Sequence, residues 1–356
     1  MKRFLTVLSL LALSATALWG TRLALFMTRP RDPQSQNSAV ILVKRGASPA
    51  ELTRTLQNTG VIEDADRFLL GGKILRRWNH VKAGEYRLFA KMTPLEILGV
   101  LESGISVNYS VTIHEGDNIF EIAQTMSEQG LADRARILEL CKSPEFMGLL
   151  GLKDPLPPSM EGYLFPDTYF FSRTMSPEDM LRQMHRRFKS LWTADLAALA
   201  QRSGLNRHEV LTLASIIEKE TGAPEERPII SSVFHNRLRK KMRLQSDPTT
   251  IYGIWETYSG NIHKKDLLTP TPFNTYTVAA LPIGPISNPG VLAIRAAMSP
   301  AQSEYLFFVS QNDGRHVFTR TFAEHSEAVK KFQLDRKARE GKSWRDLNRK
   351  KEGESP

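Results

Sequence analysis

A chain of 356 residues that is 41% hydrophobic and 24% charged can bury a full core and divide into two domains with attachments. Its one cysteine, Cys141, excludes an internal disulfide, a cysteine-built zinc cluster and a dithiol redox role. The formal charge of +10 invites a nucleic-acid reading, but half of the excess sits in residues 330–356, with ten Lys/Arg against five Asp/Glu. No nucleic-acid-reading motif accompanies it, so no nucleic-acid partner is expected.

In chain order, Lys2 and Arg3 precede 18 uncharged residues, Phe4–Thr21, which make a helix of about 27 Å. With Arg22 snorkelling, residues 4–27 read as an uncleaved single-pass transmembrane anchor. A signal peptide cleaved after Ala15-Thr16-Ala17 is the competing reading. Residues 28–38 are polar and proline-containing and read as a linker, reaching about 36–40 Å when fully extended.

Residues 39–155 hold an internal repeat. Sliding the chain by seventy positions lays Ile41 on Val111, Val43 on Ile113, Gly46 on Gly116, Glu51 on Glu121 and Gly60 on Gly130. Each copy reads as a strand, a glycine turn and an amphipathic helix stopped by glycine. Between the copies, Gly84–Leu88 and the stretch from Thr93 form another strand–helix pair, with Thr93 as N-cap and Pro94 at the first helical position. Such units resemble LysM modules, which bind N-acetylglucosamine polymers. The alternative is a set of packing units that only hold the next domain off a membrane.

Leu156–Ser159 marks the entry to a second domain, residues 156–335, followed by a basic tail over 336–356. Glu161 and Asp167 sit among aromatics in a loop entering a strand, and a helix is expected over 177–199. The next helix starts with Asn206 and Glu209 as a capping box, carries Val210, Leu213, Ala214 and Ile217 on its buried face, and meets Gly222 as its stop. It ends in two carboxylates, Glu218 and Glu220, and helical spacing does not choose between them. Another helix, with Asn236 and Arg237, leads to a polar loop containing Gln245, Ser246, Asp247 and Tyr252. A carboxylate ending a mostly buried helix beside such a loop is how a general acid is built, because burial lets it keep a proton at neutral pH. His235, His263, His316 and His325 have no zinc-site spacing, and neither a serine-nucleophile elbow nor a glycine-rich phosphate loop is present. No metal and no cofactor are therefore expected, and carboxylate chemistry on a glycan remains.

The strings LASIIEKETG, VFHNRL, MRLQSDPTTIYG, PFNTYTVAALPIGPISNPG and YLFFVSQNDGRHVFT follow one another in this order. Together they resemble the YceG-like endolytic murein transglycosylases, from about Val40 to the low 330s. The resemblance implies an α+β protein: a single N-terminal transmembrane helix, a LysM-like βα membrane-proximal domain and a C-terminal α+β catalytic domain. It also implies a cytoplasmic N-terminus over residues 1–3, anchorage in the cytoplasmic (inner) membrane, and catalysis on the extracytoplasmic side. Peptidoglycan strands are then the substrate and peptidoglycan synthases the partner class. The first Glu of the IIEKET string, Glu218, is the catalytic acid/base. It protonates the glycosidic oxygen, then takes the proton from the muramyl C6 hydroxyl that attacks C1, leaving a 1,6-anhydro end. Gln245, Ser246 and Asp247 are expected to line the substrate cleft beside Glu218, with Tyr252, Asn274, Tyr276 and Glu161 as further cleft residues. Glu220, paired with Arg227 or Arg237, is expected as structural support together with Asn236 and Arg237. Ser246 and Ala279-Ala280 stand where threonine and glycine-like residues are common in the family. Two other readings compete: a hydrolytic muramidase using Glu218 and Asp247, and a non-catalytic peptidoglycan-binding scaffold.

Overall fold

The computed structural model describes residues 2–152 and 155–335, so the basic tail expected over 336–356 lies outside the described residues. The chain forms two compact units, residues 1–110 with Phe170–Ser176, and Val111–Tyr169 with the chain from Pro177 onward.

The first unit contains α1 (Lys2–Thr28), β1 (Ser38–Val43), α2 (Pro49–Asn58), α3 (Ala65–Ile74), β2 (Gly84–Phe89) and α4 (Pro94–Ser103). β1 and β2 pair antiparallel, with Ser38 opposite Phe89 and Val43 opposite Gly84. Alternation along β1 turns Ile41 and Val43 inward and leaves Val40 and Leu42 in solvent. Side-chain caps start each of the three short helices: Ser48 for α2, Asp64 for α3 and the expected Thr93, in a capping box with Glu96, for α4. Their apolar faces close over the strand pair around Leu56, Phe68, Tyr86, Leu88, Ile97 and Leu101. Burying each such side chain contributes about 1.5–3 kcal/mol.

By length and composition, Phe4–Thr28 of α1 can cross a membrane. Its large apolar side chains are exposed from Phe4 to Trp19, whereas Met27 is buried and Leu23 and Phe26 pack against the core. Met27 occupies the space where Gly71 of α3 has no Cβ, so the end of α1 is seated in the unit. The expected linker over 28–38 is also tied down. Asp32 N–H donates to Ala90 O (3.0 Å), and Ala90 N–H donates to Asn37 O (3.2 Å). These backbone bonds lay the segment along the end of β2, and it is not the free tether that its polar composition suggests.

The chain next runs through β3 (Tyr109–Thr112), α5 (Ile119–Glu128), α6 (Arg134–Lys142), α7 (Pro144–Leu149) and β4 (Thr168–Phe171), the three helices in the second unit and the two strands crossing the division. It continues with α8 (Pro177–Leu191), α9 (Ala194–Ser203), α10 (Arg207–Glu220), α11 (Arg227–Arg239), α12 (Asp247–Gly253) and α13 (Lys264–Leu268). The last elements are α14 (Val291–Met298), β5 (Phe307–Ser310), β6 (His316–Thr319) and α15 (Phe322–Val329). β3 pairs with β4, and β5 pairs antiparallel with β6, Phe307 opposite Thr319. α10 is the centre of this unit: Val210–Ile217 are all buried, and α14, α11 and α9 pack around them.

The seventy-residue repeat is visible as β1-α2-α3-β2 followed by β3-α5-α6-β4, with α2 and α5 starting seventy residues apart. Gly46, Gly60, Gly116 and Gly130 all have positive φ, at 78°, 77°, 88° and 64°, which explains why glycine punctuates both copies. The copies belong to different units, however, so the border expected at residues 155/156 is not where the contacts divide. The second copy is bound to the rest of its unit by polar groups of its own. Asn288 Nδ2 donates to Asp117 O (3.0 Å) and to Glu161 Oε1 (2.9 Å).

Candidate active site

α10 begins as its sequence dictates. Asn206 Oδ1 accepts Glu209 N–H (3.0 Å) and Glu209 Oε2 accepts Asn206 N–H (2.8 Å). Gly222 is not the stop. Thr221 ends the helix in an extended conformation (φ −145°), and its hydroxyl accepts Ala223 N–H (2.9 Å). Glu218 and Glu220 thus share the last turn. Being two residues apart they face different sides of the helix, and two cavities result.

The first cavity, about 400 Å³, is lined by Glu218, Glu220, Glu115, Gly116 and Arg227. Arg227 Nη2 lies 2.6 Å from Glu218 Oε1, with the two side chains only 7% and 4% exposed. Gly290 N–H donates to Glu218 Oε2 at 2.9 Å. Glu115 was not foreseen from the sequence. Its carboxyl is pushed up by burial and then by the charge of Glu218, with Arg227 acting in the opposite direction. Gly290 has an ordinary φ of −75°, so conformation does not require glycine there. Space does: a Cβ on Gly290 would collide with the Glu115 carboxylate. Gly116 follows at φ 88°, and its carbonyl accepts Lys219 Nζ (3.2 Å).

The second cavity, about 320 Å³, is lined by Glu220, Gln245, Asp247, Tyr276, Phe307 and His325. Ser246 Oγ donates to Glu220, and burial, with Asp247 adding to it, pushes the Glu220 carboxyl up to about 7. The expected partners of Glu220 are engaged elsewhere. Arg227 holds Glu218, and Arg237 donates to the carbonyls of Leu306 (2.6 Å) and Leu244 (2.8 Å). Tyr276 donates to Asp247 Oδ1 at 2.6 Å. Gln245 sits at φ 52°, an uncommon conformation for a non-glycine residue, with its N–H on Thr275 O (3.3 Å). Gln245, Ser246, Asp247 and Tyr276 therefore assemble around Glu220 rather than around Glu218, and Glu220 lines both cavities.

Three of the expected cleft residues are interior. Asn274 is fully buried. Its amide donates to the carbonyls of Thr269 (2.8 Å) and Leu267 (3.1 Å), and its oxygen accepts Thr250 Oγ1 and Tyr276 N–H (both 2.9 Å). It organises the chain around α12 and has no group left for a ligand. Glu161 and Tyr252 are buried and hydrogen-bonded to each other. Glu161 also accepts Asn288 Nδ2 (2.9 Å), while Asn288 Oδ1 accepts Gly162 N–H (2.9 Å) and Leu164 N–H (3.0 Å). Glu161 is thus a post beneath the Asn288–Gly290 segment that brings an N–H to Glu218. Desolvation pushes its carboxyl up to about 8. Asn236 braces α11 by donating to the carbonyls of Ser303 and Tyr305 (both 2.9 Å). Among the described residues, no three His, Cys, Asp or Glu side chains are grouped as metal ligands.

The YceG-like family model matches residues 41–331 of this chain. An endolytic murein transglycosylase of Bacillus subtilis (strain 168) is 30% identical over 319 residues, covering 86% of this chain and 88% of that protein. One from Streptococcus pneumoniae serotype 2 is 27% identical over 354 residues, covering 92% of this chain and 64% of its own. The 2.6 Å crystal structure of a YceG-like protein from Listeria monocytogenes is 31% identical, covers 83% of this chain and all of its own, and superposes with a TM-score of 0.57.

Proposed function

The chain belongs to the YceG-like family, and on that premise we propose that it is an endolytic murein transglycosylase, a lyase that cuts peptidoglycan strands between MurNAc and GlcNAc. In this reading α1 anchors the protein in the cytoplasmic membrane, its catalytic unit lies outside, and newly made strands supplied by peptidoglycan synthases are its substrate. The observation that carries the site is the fixing of Glu218, at the end of the buried α10, by Arg227 and Gly290 N–H on the floor of a cavity.

Glu218 gives its proton to the glycosidic oxygen. Arg227 and the Gly290 N–H then receive the negative charge left behind, as donors placed in advance do. Positive charge develops on the sugar ring at the same moment, and Glu115, which lines that cavity together with Glu218 and Glu220, faces it. The Glu218 carboxylate next takes the proton of the C6 hydroxyl, which closes on C1 to give the 1,6-anhydro end without consuming water. Asp247 lines the other cavity, which favours the lyase over a hydrolase that uses Glu218 and Asp247. Gln245, Asp247 and Tyr276 serve as sugar contacts along the strand, reached over Glu220.

One observation favours a second assignment of the acid within the same reaction. Glu220, held at about 7 and lining both cavities, could itself carry the proton at neutral pH. Parallel assays of Glu218→Gln and Glu220→Gln on isolated glycan, with products read by mass spectrometry, separate the two. We expect Glu218→Gln to remove at least about 10²–10⁴ of the rate, the usual worth of a general acid/base, and Glu220→Gln to lower it by much less. The reverse order would move the acid to Glu220. Reducing ends in place of anhydro ends would replace the lyase by a hydrolase, and an intact substrate with wild type would leave a binding scaffold.

A further inference from the structure

A cavity of about 410 Å³ lies at the C-terminal end of α1. Arg22, Arg29, Arg31 and Arg67 line it, with Glu63 as its one carboxylate. Arg67 is paired with Asp64 at 3.1 Å, whereas Arg22, Arg29 and Arg31 have no carboxylate partner among the described residues. Their convergence follows from the fold. Arg22 lies in the last two turns of α1 and Arg29 is the first residue beyond its end, and both line this cavity. Arg31 lies against the Gly60 turn after α2, with Nη1 2.9 Å from where a glycine Cβ would stand. Arg67 rises from the first turn of α3. Between these cations the wall is apolar, made by Leu25 and Phe26 of α1, Val61 and Ile62 of the α2–α3 turn, and Met92.

Unpaired guanidinium groups against an apolar wall match a headgroup that carries phosphate at one end and acyl chain at the other. The position along α1 fits this. Phe4–Thr28 is 25 residues, about 37 Å of helix against a hydrocarbon thickness of about 30 Å, so the stretch from Arg22 on falls at the headgroup layer. Within a Debye length of an anionic surface, each such arginine adds to the attraction.

We propose that the Arg22/Arg29/Arg31/Arg67 cavity binds the phosphate-bearing headgroup of an anionic membrane lipid. This rests on the reading of α1 as an anchor. It gives the foot of the first unit a ligand of its own, separate from the glycan site.

The full-length protein, purified in mild detergent, can be given phosphatidylglycerol, phosphatidylcholine or inorganic phosphate at equal concentrations and examined by native mass spectrometry. The expected result is retention of one phosphatidylglycerol at an occupancy about tenfold above phosphatidylcholine. Arg29→Gln/Arg31→Gln/Arg67→Gln should fall to the phosphatidylcholine level, with the glycan-cleaving rate on isolated strands unchanged. Equal retention of the two lipids, or a triple variant that still prefers phosphatidylglycerol, would overturn the proposal. Inorganic phosphate displacing the lipid at equal concentration would make this a site for free phosphate and also refute it. Should the triple variant fail to fold by circular dichroism, Arg31→Gln alone, at the edge of the cavity, is expected to lower occupancy severalfold, and no change would again refute it. Carbonate extraction of wild type keeps the two readings distinct. Release of a shortened soluble form ends the anchor, whereas an integral protein without lipid preference ends only the headgroup site.

Discussion

The turn at Lys44-Arg45-Gly46 and the turn at His114-Glu115-Gly116 hold the same backbone. Both glycines are left-handed, at φ 78° and 88°, and each is followed two residues later by a helix cap: Ser48 on Glu51 N–H (3.1 Å) and Asn118 on Glu121 N–H (3.0 Å). What surrounds them differs. Arg45 is exposed, and the missing Cβ of Gly46 points into open space. A Cβ on Gly116 would stand 3.5 Å from Lys219 Cδ and 3.7 Å from Glu218 Cγ, and its neighbour Glu115 lines the Glu218 cavity. At the first position of the following helix, Pro49 has no N–H to give, whereas Ile119 N–H goes to Glu161 (3.0 Å). One turn design therefore sits in two settings, and single side chains set the two apart.

The comparison breaks most visibly by exchanging the side chains. Glu115→Arg, which writes the first turn into the second, should lower the rate of anhydro-end formation by about 10²–10³ if Glu115 faces the developing positive charge. Arg45→Glu should leave that rate within about twofold. Comparable losses from both would mean that the turn, and not its carboxylate, is what matters.

Next in size is a pH effect that reaches the second copy through Glu161 and leaves the first copy untouched. Glu161 at about 8 and Glu220 at about 7 both sit above the ordinary carboxyl value, so the native state binds more protons than the unfolded state in between. Their contribution to stability is fully present below about pH 4.5 and is lost as pH rises through 7 to 8. The native state is therefore stabilised more at low pH than at high pH by this pair. Urea midpoints should fall between pH 5 and pH 8.5, less steeply in Glu161→Gln. Hydrogen exchange should show α5 losing protection over that range, after correction for intrinsic rates, with α2 unaffected. Equal loss in both helices would refute the assignment.

Gly290→Ala should cost about tenfold in kcat, because the new Cβ must displace Glu115 while the backbone N–H is kept. In a Glu115→Ala background the same change should cost nothing further, and additive losses would separate the two residues. The smallest effect is Gly46→Ala against Gly116→Ala. Both force a side chain into the left-handed region at roughly 1 kcal/mol, visible in thermal unfolding. Only Gly116→Ala should also change the rate, and only severalfold.

The sequence made much of this legible because its signals are local. The capping box at Asn206 and Glu209, the buried face of α10 and the seventy-residue repeat depend on residues a few positions apart, and periodicity reports them directly. Gly222 misled because a glycine after a helix commonly adopts positive φ, and here Thr221 ends the helix in an extended conformation first. Asn274, Tyr252 and Glu161 are as polar as cleft residues, but composition does not say whether a polar group faces a ligand or a carbonyl. Glu115 was missed since its meeting with Glu218 spans about a hundred residues. One trace of it was present, the change from Arg45 to Glu115 at matched positions of the repeat.

The seating of Met27 against Gly71 gives α1 a mechanical character. A flexible tether lets a domain swivel freely above its anchor, but a helix whose last turn is wedged into the core is an axle. Each residue of α1 advances it by about 100°, so the side of the helix that meets a neighbouring span sets the compass bearing of the whole first unit. If α1 is the anchor proposed above, whichever protein grips it within the bilayer would choose, in steps of the helical screw, the direction in which that unit looks.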